Sequence, residues 1–348
     1  MTAVMPEPLA AFCRAALAAA GADDATAGAA AEAMMHGSRL GVDSHGVRLL
    51  PHYCAAIRGG RVNGRPAMRL ERTRAASAML HADHAHGARA AFEAMDHACA
   101  MAAEAGVGAV GIADTSHFGA AGAYALAAAR RGMLGLAACN SDAIVRLHDG
   151  AERFHGTNPI AAAMPSDGAD PWLLDMATSA IPWNRVELYR ARGEAVPEGT
   201  ASDAAGRPTT DAEAALMLAP LGGAFGFKGA GLAGLAEILS AVLTGMTLSP
   251  DVAPMGGEDM GTPRRLGAFV LALDPAAFAG ADAVARGMTR YLSMLRASPA
   301  ASAARVLAPG DREWAVAAER DRVGIPLDPV TAEAFGRLAA EHGLDPPA

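Results

Sequence analysis

The chain has 348 residues, room for about two domains of ordinary size, and its 52% hydrophobic and 19% charged residues exclude disorder and support a sizeable core. A net charge of -8 leaves no basic footprint for nucleic acid, so an anionic ligand has to be held by a local cation. Cys13, Cys54, Cys99 and Cys139 are far apart with no CxxC pair, which reads as free buried thiols in a reducing compartment.

No stretch reaches the roughly 18 uninterrupted apolar residues of a membrane span. The N-terminal run lacks a basic region and is broken by Glu7 and Arg14. A cytoplasmic protein is expected. Apolar residues recur at helical spacing over residues 6–20 and 24–40, with Asp24 as the expected N-cap of the second helix. A third helix is expected from about His45 to Ile57, stopping at Gly59-Gly60. Residues 88–105 read as a helix, 107–114 as an apolar strand, 122–132 as a helix and 133–140 as a strand. Short strands are expected at 159–164 and 172–177, and helices at 183–193, 210–218 and 229–245. A strand at 266–273 and helices at 281–297 and 328–343 follow. This alternation predicts an α/β core with a buried sheet, led by a helical unit on which the C-terminal tail docks.

Residues 106–111, GVGAVG, match the dinucleotide fingerprint G-x-G-x-x-G letter for letter. That mechanism needs a strand before the glycines and a helix after them, so that a pyrophosphate meets a helix N-terminus. Here a helix ends at Ala105 and a strand begins at Val107. Gly106 is therefore read as the residue that closes the helix, and the Rossmann reading is rejected. His81, His84 and His86, in HADHAH, fall in an expected loop without a companion carboxylate pattern. They are read as solvated; as zinc ligands they would serve a rival, a metal-dependent hydrolase.

In DTSHFGAAGAYA, Ser116 and His117 sit where a strand ends and a small-residue turn opens a helix, the place where open α/β sheets bind ligands. The plainer reading is an N-cap serine beside a surface histidine. Lys228 stands among glycines before a long apolar helix, which suits a phosphate partner; the plainer reading is a solvated lysine in a turn. The densest polar group is GVDSHGVRLL, residues 41–50. A helix start accounts for Ser44 as N-cap and for Asp43 at the positive dipole end. It leaves His45 and Arg48 unexplained. A guanidinium clamps a carboxylate, and an imidazole kept neutral at a helix start accepts the proton of an alcohol being oxidised.

Taken together, RLGVDSHGVRLLPHY, SHFGAAGAYA, GTNPIAAAMP, LLDMATS, GRPTTD and PLGGAFGFKGAGLAGLAEILSAVLTG resemble the malate/L-lactate dehydrogenase family, in order from about residue 8 to 340. The resemblance implies a non-Rossmann α/β fold. A mixed-sheet cofactor domain would span residues 67–299, and residues 1–66 would form a small helical domain with 300–348 docking back on it. It also implies hydride transfer between NAD or NADP and C2 of a small 2-hydroxy or 2-oxo acid, in a homodimer or higher oligomer, with no metal. The proton falls to His45, supported by Ser44, or else to His117. Arg48 and Thr157 fall at the substrate. The cofactor falls against His117, Phe118, Gly119, Ala120, Ser141, Asp175, Met176, Ala177, Lys228, Gly310 and Asp311. Asp311 stands where the family usually has Glu, and Trp183 is bulkier than many members carry there, so it is expected to shape the pocket or a dimer contact. A reductase of cyclic imines such as Δ1-piperideine-2-carboxylate or Δ1-pyrroline-2-carboxylate needs the same clamp and proton donor, and is the alternative.

Overall fold

The structure is a computed structural model that describes residues 2–166, 168, 170–301 and 303–347. Strand β1 (Thr2–Val4) leads into helix α1 (Pro6–Ala19), whose opening proline has its φ preset for a first helical turn. Helix α2 (Asp24–Arg39) is capped one residue before the expected position, by Asp23, whose carboxylate accepts the Thr26 N–H at 2.7 Å.

The helix start expected at His45 is not formed. Residues 43–45 and 47–49 are two single 3-10 turns without side-chain caps, and helix α3 (Leu50–Gly59) begins only after them. Gly46 separates the turns because a Cβ there would stand 2.2 Å from Ser38 Oγ. That hydroxyl instead accepts the Val47 N–H at 2.9 Å and ties both turns to α2. Asp43 bonds to Arg320 rather than to a helix dipole.

Strands β2 (Arg69–Arg74) and β3 (Ser77–Ala85) form a hairpin, so most of HADHAH is strand and not loop. Helix α4 (Gly87–Ala105) packs on the sheet and closes on Gly106, at φ 79, before β4 (Val107–Thr115). The helix–glycine–strand order read from GVGAVG is the one observed. Its middle glycine serves packing, since a Cβ on Gly108 would stand 2.0 Å from Ala98 O. Helix α5 (Gly122–Ala129) and strands β5 (Leu134–Cys139), β6 (Val145–Arg146), β7 (Arg153–His155), β8 (Ile160–Met164) and β9 (Trp172–Met176) follow.

After α6 (Trp183–Arg192) come β10 (Ala201–Ser202), β11 (Pro208–Thr209) and β12 (Met217–Leu218). The helix expected over 210–218 is absent. Thr209 Oγ1 accepts the Asp211 N–H and Asp211 accepts the Glu213 N–H, side-chain bonds that hold a turn in place of a helix. Helix α7 (Phe227–Glu237) continues into a π turn over Ile238–Val242, and β13 (Leu266–Leu273) and α8 (Ala281–Arg296) follow. Helix α9 (Asp311–Val323), not anticipated from the sequence, precedes β14 (Ile325–Leu327) and α10 (Pro329–His342).

Among the described residues the main sheet has seven strands in the order β2-β3-β4-β13-β5-β8-β9. This is the mixed, non-Rossmann sheet that the resemblance implies. Both β4 and β5 run antiparallel to β13 between them, so their C-terminal ends share one edge. Strand β8 begins at that edge and β9 ends there, because Ile160 pairs with Ala138 on one side and Met176 on the other. A second sheet, β11-β10-β12-β6-β7, is built from segments inserted between β5 and β13. At the far end of the chain β14 pairs with β1, and Phe335 meets Phe12 with ring centroids 5.2 Å apart, so the tail packs on the first helices. No described helix is long and apolar enough to cross a membrane.

Candidate active site

The sheet edge shared by β4, β5, β8 and β9 opens on a cavity of about 620 Å³. The helical unit contributes Ser44, His45, Arg48 and His52 to its wall. The loop after β4 contributes His117 and Gly119, the loop after β5 contributes Ser141 and Asp142, and Thr157 comes from the segment before β8. Trp183 and Asn184, at the start of α6, close one side. The 3-10 turns present Ser44, His45 and Arg48 together, the role that sequence reasoning gave to a helix start.

The imidazoles form a stacked pair. His45 and His117 have ring centroids 5.7 Å apart at an interplanar angle of 28°. Burial pushes the His45 pKa below its ordinary value. It pushes His117 well below, and the neighbouring His45 and Arg264 add to that. His117 keeps part of its surface on the cavity, but the surrounding walls hold it away from bulk water. Both rings are neutral at neutral pH, through desolvation and not through a helix dipole.

Each ring is held from behind. Ser44 Oγ lies 2.8 Å from His45 Nδ1, and Tyr53 Oη lies 2.8 Å from His117 Nδ1. Burial raises the Tyr53 pKa well above the phenol range, so its hydroxyl stays protonated. With the phenol as donor to Nδ1, His117 carries its own proton on Nε2. Tyr53 is seated by His86, whose ring meets it edge-on at 4.3 Å and 86°. His86 is buried, accepts the Ala88 N–H at 3.2 Å as the cap of α4, and has its pKa pushed down to about 3 by burial. It is a structural residue, and its burial replaces the solvated reading. Ser116 likewise caps nothing in α5; it is buried and accepts the Gly87 N–H at 3.0 Å.

Among the described residues, Asp142 is the one carboxylate on this wall. It accepts from the buried guanidinium of Arg264 and, at 3.3 Å, from the Met255 N–H, which fixes the segment that supplies Met255 and Gly256 to the cavity. Asp142 and Arg264 lie in no motif quoted from the sequence, while Tyr53 stands at the end of RLGVDSHGVRLLPHY and His86 at the end of HADHAH without either motif pointing to this role. They come from separate segments, and only their meeting in space marks them.

The other expected residues stand outside this cavity. Phe118 and Ala120 are buried behind Gly119, with the Phe118 ring tilted against Tyr124 at 4.8 Å. Asp175, at the end of β9, accepts the Gly122 N–H at 2.8 Å, so it caps α5, and burial raises its pKa to about 6. Met176 and Ala177 follow it. A Cβ on Gly122 would meet both Asp175 Oδ2, at 2.8 Å, and His36 Nε2, at 3.2 Å, and His36 lines a neighbouring cavity of about 390 Å³. Trp314 lines that cavity and another of about 510 Å³ bounded by Asp311. Gly310, at φ 96, leaves no side chain between Trp314 and Leu173. Lys228 is exposed at the start of α7, its ammonium 5.4 Å from the Phe225 ring centroid.

The family model for malate/L-lactate dehydrogenase matches residues 4–335. The chain belongs to that family. A ureidoglycolate dehydrogenase (NAD(+)) of Escherichia coli strain K12 is 36% identical over 281 residues, covering 80% of this chain and 79% of the relative. A (2R)-3-sulfolactate dehydrogenase (NADP(+)) of Chromohalobacter salexigens is 37% identical over 268 residues, covering 76% and 78%. The solved sulfolactate dehydrogenase of Methanocaldococcus jannaschii superposes with a TM-score of 0.92 at 29% identity, over 99% of this chain and 98% of that one. This family member is thus an NAD- or NADP-dependent oxidoreductase. The cavity suits a nicotinamide: neutral rings, the Ser141 and Thr157 hydroxyls, and a Gly119 whose φ of 75 leaves that wall without a side chain.

Proposed function

We propose that the chain oxidises a 2-hydroxy acid, or reduces the 2-oxo acid, with His45 and His117 in separate roles. The stacking of two desolvated, neutral imidazoles on one wall with Arg48 carries this reading. When bound, the nicotinamide supplies or takes the hydride at C4. Arg48 clamps the substrate carboxylate, with Thr157 beside it. His117, with its proton on Nε2, donates a hydrogen bond to the reacting oxygen. His45, donating from Nδ1 to Ser44 Oγ, keeps a free lone pair on Nε2 and takes the alcohol proton as the hydride leaves C2. Burial of the pair means that only one ring is cationic at a time.

The cofactor contacts implied by the family resemblance run from Gly119 and Ser141 past Asp175, Met176 and Ala177 to Gly310 and Asp311. The two neighbouring cavities share Trp314, and His36 on the first lies against Gly122 beside Asp175, which supports that path. Lys228 completes the set. We further propose a homodimer: Phe225, Phe227, Leu232, Leu235, Ile238 and Val242 expose an apolar face on and around α7 that a second copy would cover. The four free, buried cysteines favour the cytoplasm. Residues 1–66 with 300–348, and 67–299, are the proposed domains. The test is NADH and NADPH absorbance against a panel of 2-oxo acids and cyclic imines. Turnover of a 2-oxo acid is expected; turnover confined to the imines would replace this reading with the imine reductase.

A further inference from the structure

Glu237 ends α7 and is 6% exposed, yet among the described residues no arginine or lysine forms an ion pair with it. Its carboxylate is held by neutral donors from three other segments. Ser249 donates twice, from N and from Oγ, each at 2.6 Å. Asn158 Nδ2 donates at 2.7 Å, and Asn140 Nδ2 at 3.4 Å. An anion buried in this way is retained at a desolvation cost, which an apolar side chain on a helix packed against a sheet would not incur.

The positions of the donors give the reason. Asn140 directly precedes Ser141 and Asp142 on the cavity wall, and Asn158 directly follows Thr157. Ser249, held by Glu237, accepts the Ala143 N–H on its own carbonyl at 3.1 Å. The segment carrying Ser141 and Asp142 is thus tied at both ends to one carboxylate. The two loops also touch, since a Cβ on Gly156 would stand 2.1 Å from Ser141 Oγ. Asn158 holds a φ of 35, a left-handed conformation that its side-chain bonds to Glu237 and to Ala233 O, at 3.1 Å, keep in place. The π turn beginning at Ile238 inserts its extra residue right after Glu237. It lets the carboxylate face inward while Leu235, Ile238 and Val242 face out, and such turns recur at functional sites.

The geometry points to Glu237 as a positioning residue that sets the Ser141–Asp142 and Thr157 walls of the cavity without touching substrate or cofactor. The kinetic part of this inference rests on the proposed roles of Ser141 and Thr157; the structural part does not. The test combines hydrogen–deuterium exchange with steady-state kinetics on Glu237→Gln and on the milder Ser249→Ala. Gln keeps the shape but turns an N–H₂ toward donors. Expected are at least tenfold faster exchange at residues 140–143 and 156–158, with α4 and β4 unchanged. The KM values for 2-oxo acid and dinucleotide should rise about tenfold while kcat changes less than threefold, because His45 and His117 stay in place. Ser249→Ala should move the same quantities by less. Unchanged local exchange, or faster exchange spread evenly over the fold, overturns the inference. So does local loosening with unchanged KM. A wild-type enzyme inactive on the whole panel would instead sink the proposed function, and the exchange result would still decide whether Glu237 holds these loops.

Discussion

Tyr53 Oη and His117 Nδ1, 2.8 Å apart, join the helical unit to the sheet edge. The tyrosine lies on α3 and the histidine in the loop after β4, so the protonation of one ring depends on how the two parts dock. Tyr53→Phe should remove the donor that selects the His117 tautomer. One neutral hydrogen bond is worth about 1 kcal/mol, so kcat should fall roughly fivefold to tenfold with KM nearly unchanged. A change confined to KM would mean that Tyr53 only shapes the pocket.

Arg48→Ala should act in the opposite sense. A charge-assisted bond of about 1.5–3 kcal/mol predicts a rise in KM for the 2-oxo acid of roughly 10- to 150-fold, with a smaller change in kcat. His45→Ala, measured beside it, should lower kcat and leave KM close to wild type. Equal turnover in all three proteins would remove both assignments.

The pH profile follows from the direction of the histidine shifts. Burial pushes His45 below the ordinary histidine value of 6.5, so the neutral ring proposed to accept the proton persists into mild acid. Oxidation should therefore stay level as pH falls from neutral through 6.5, and decline only below it. Reduction, which draws on the protonated ring, should speed up over that acid range. An oxidation rate that halves near 6.5 would show His45 titrating as a solvated histidine.

Stability should fall in acid for a related reason. His36 and His86 are both lowered from 6.5 to about 3, chiefly by burial, so the unfolded chain binds protons that the folded one refuses as pH drops below 6.5. Asp175, raised from 3.8 to about 6, works the other way: it stabilises in acid and loses that contribution as pH rises toward 6. Two histidines with the longer shifts outweigh it, and the urea midpoint should drop steadily from pH 6.5 to 4. His86→Asn keeps a cap acceptor for Ala88 and removes one titration. Its stability should fall less steeply, by at most about 1.4 kcal/mol per pH unit. An unchanged slope would show that His86 charges freely.

Gly108→Ala separates the false fingerprint from packing. The added methyl meets Ala98 O at 2.0 Å. Overpacking of this kind costs about 1–3 kcal/mol, so Tm should fall by several degrees. Dinucleotide affinity of the folded protein should be unchanged, because the glycine faces α4. A selective loss of affinity would restore a role for GVGAVG in cofactor binding.

By itself the sequence determined the alternation of helices and strands, the rejection of GVGAVG as a phosphate loop, and the family, because long periodic segments and ordered motifs are local signals. His45, Arg48 and His117 were visible as polar residues out of place in an apolar chain. Other features were decided only in three dimensions. The helix expected at His45 became two 3-10 turns, since Ser38 reaches across to bond Val47 and Gly46 has no room for a side chain. The 210–218 segment turned because Thr209 and Asp211 bond their own backbone more readily than a helix forms. HADHAH, read as solvated, buried His86 against Tyr53. Glu237 carries no signal of its own in the sequence. Its function depends on Asn140, Asn158 and Ser249, which are distant in sequence and meet only when β5 and β8 come together at one edge. Desolvation, which keeps the His45 and His117 imidazoles neutral, belongs to the closed cavity and to no single segment.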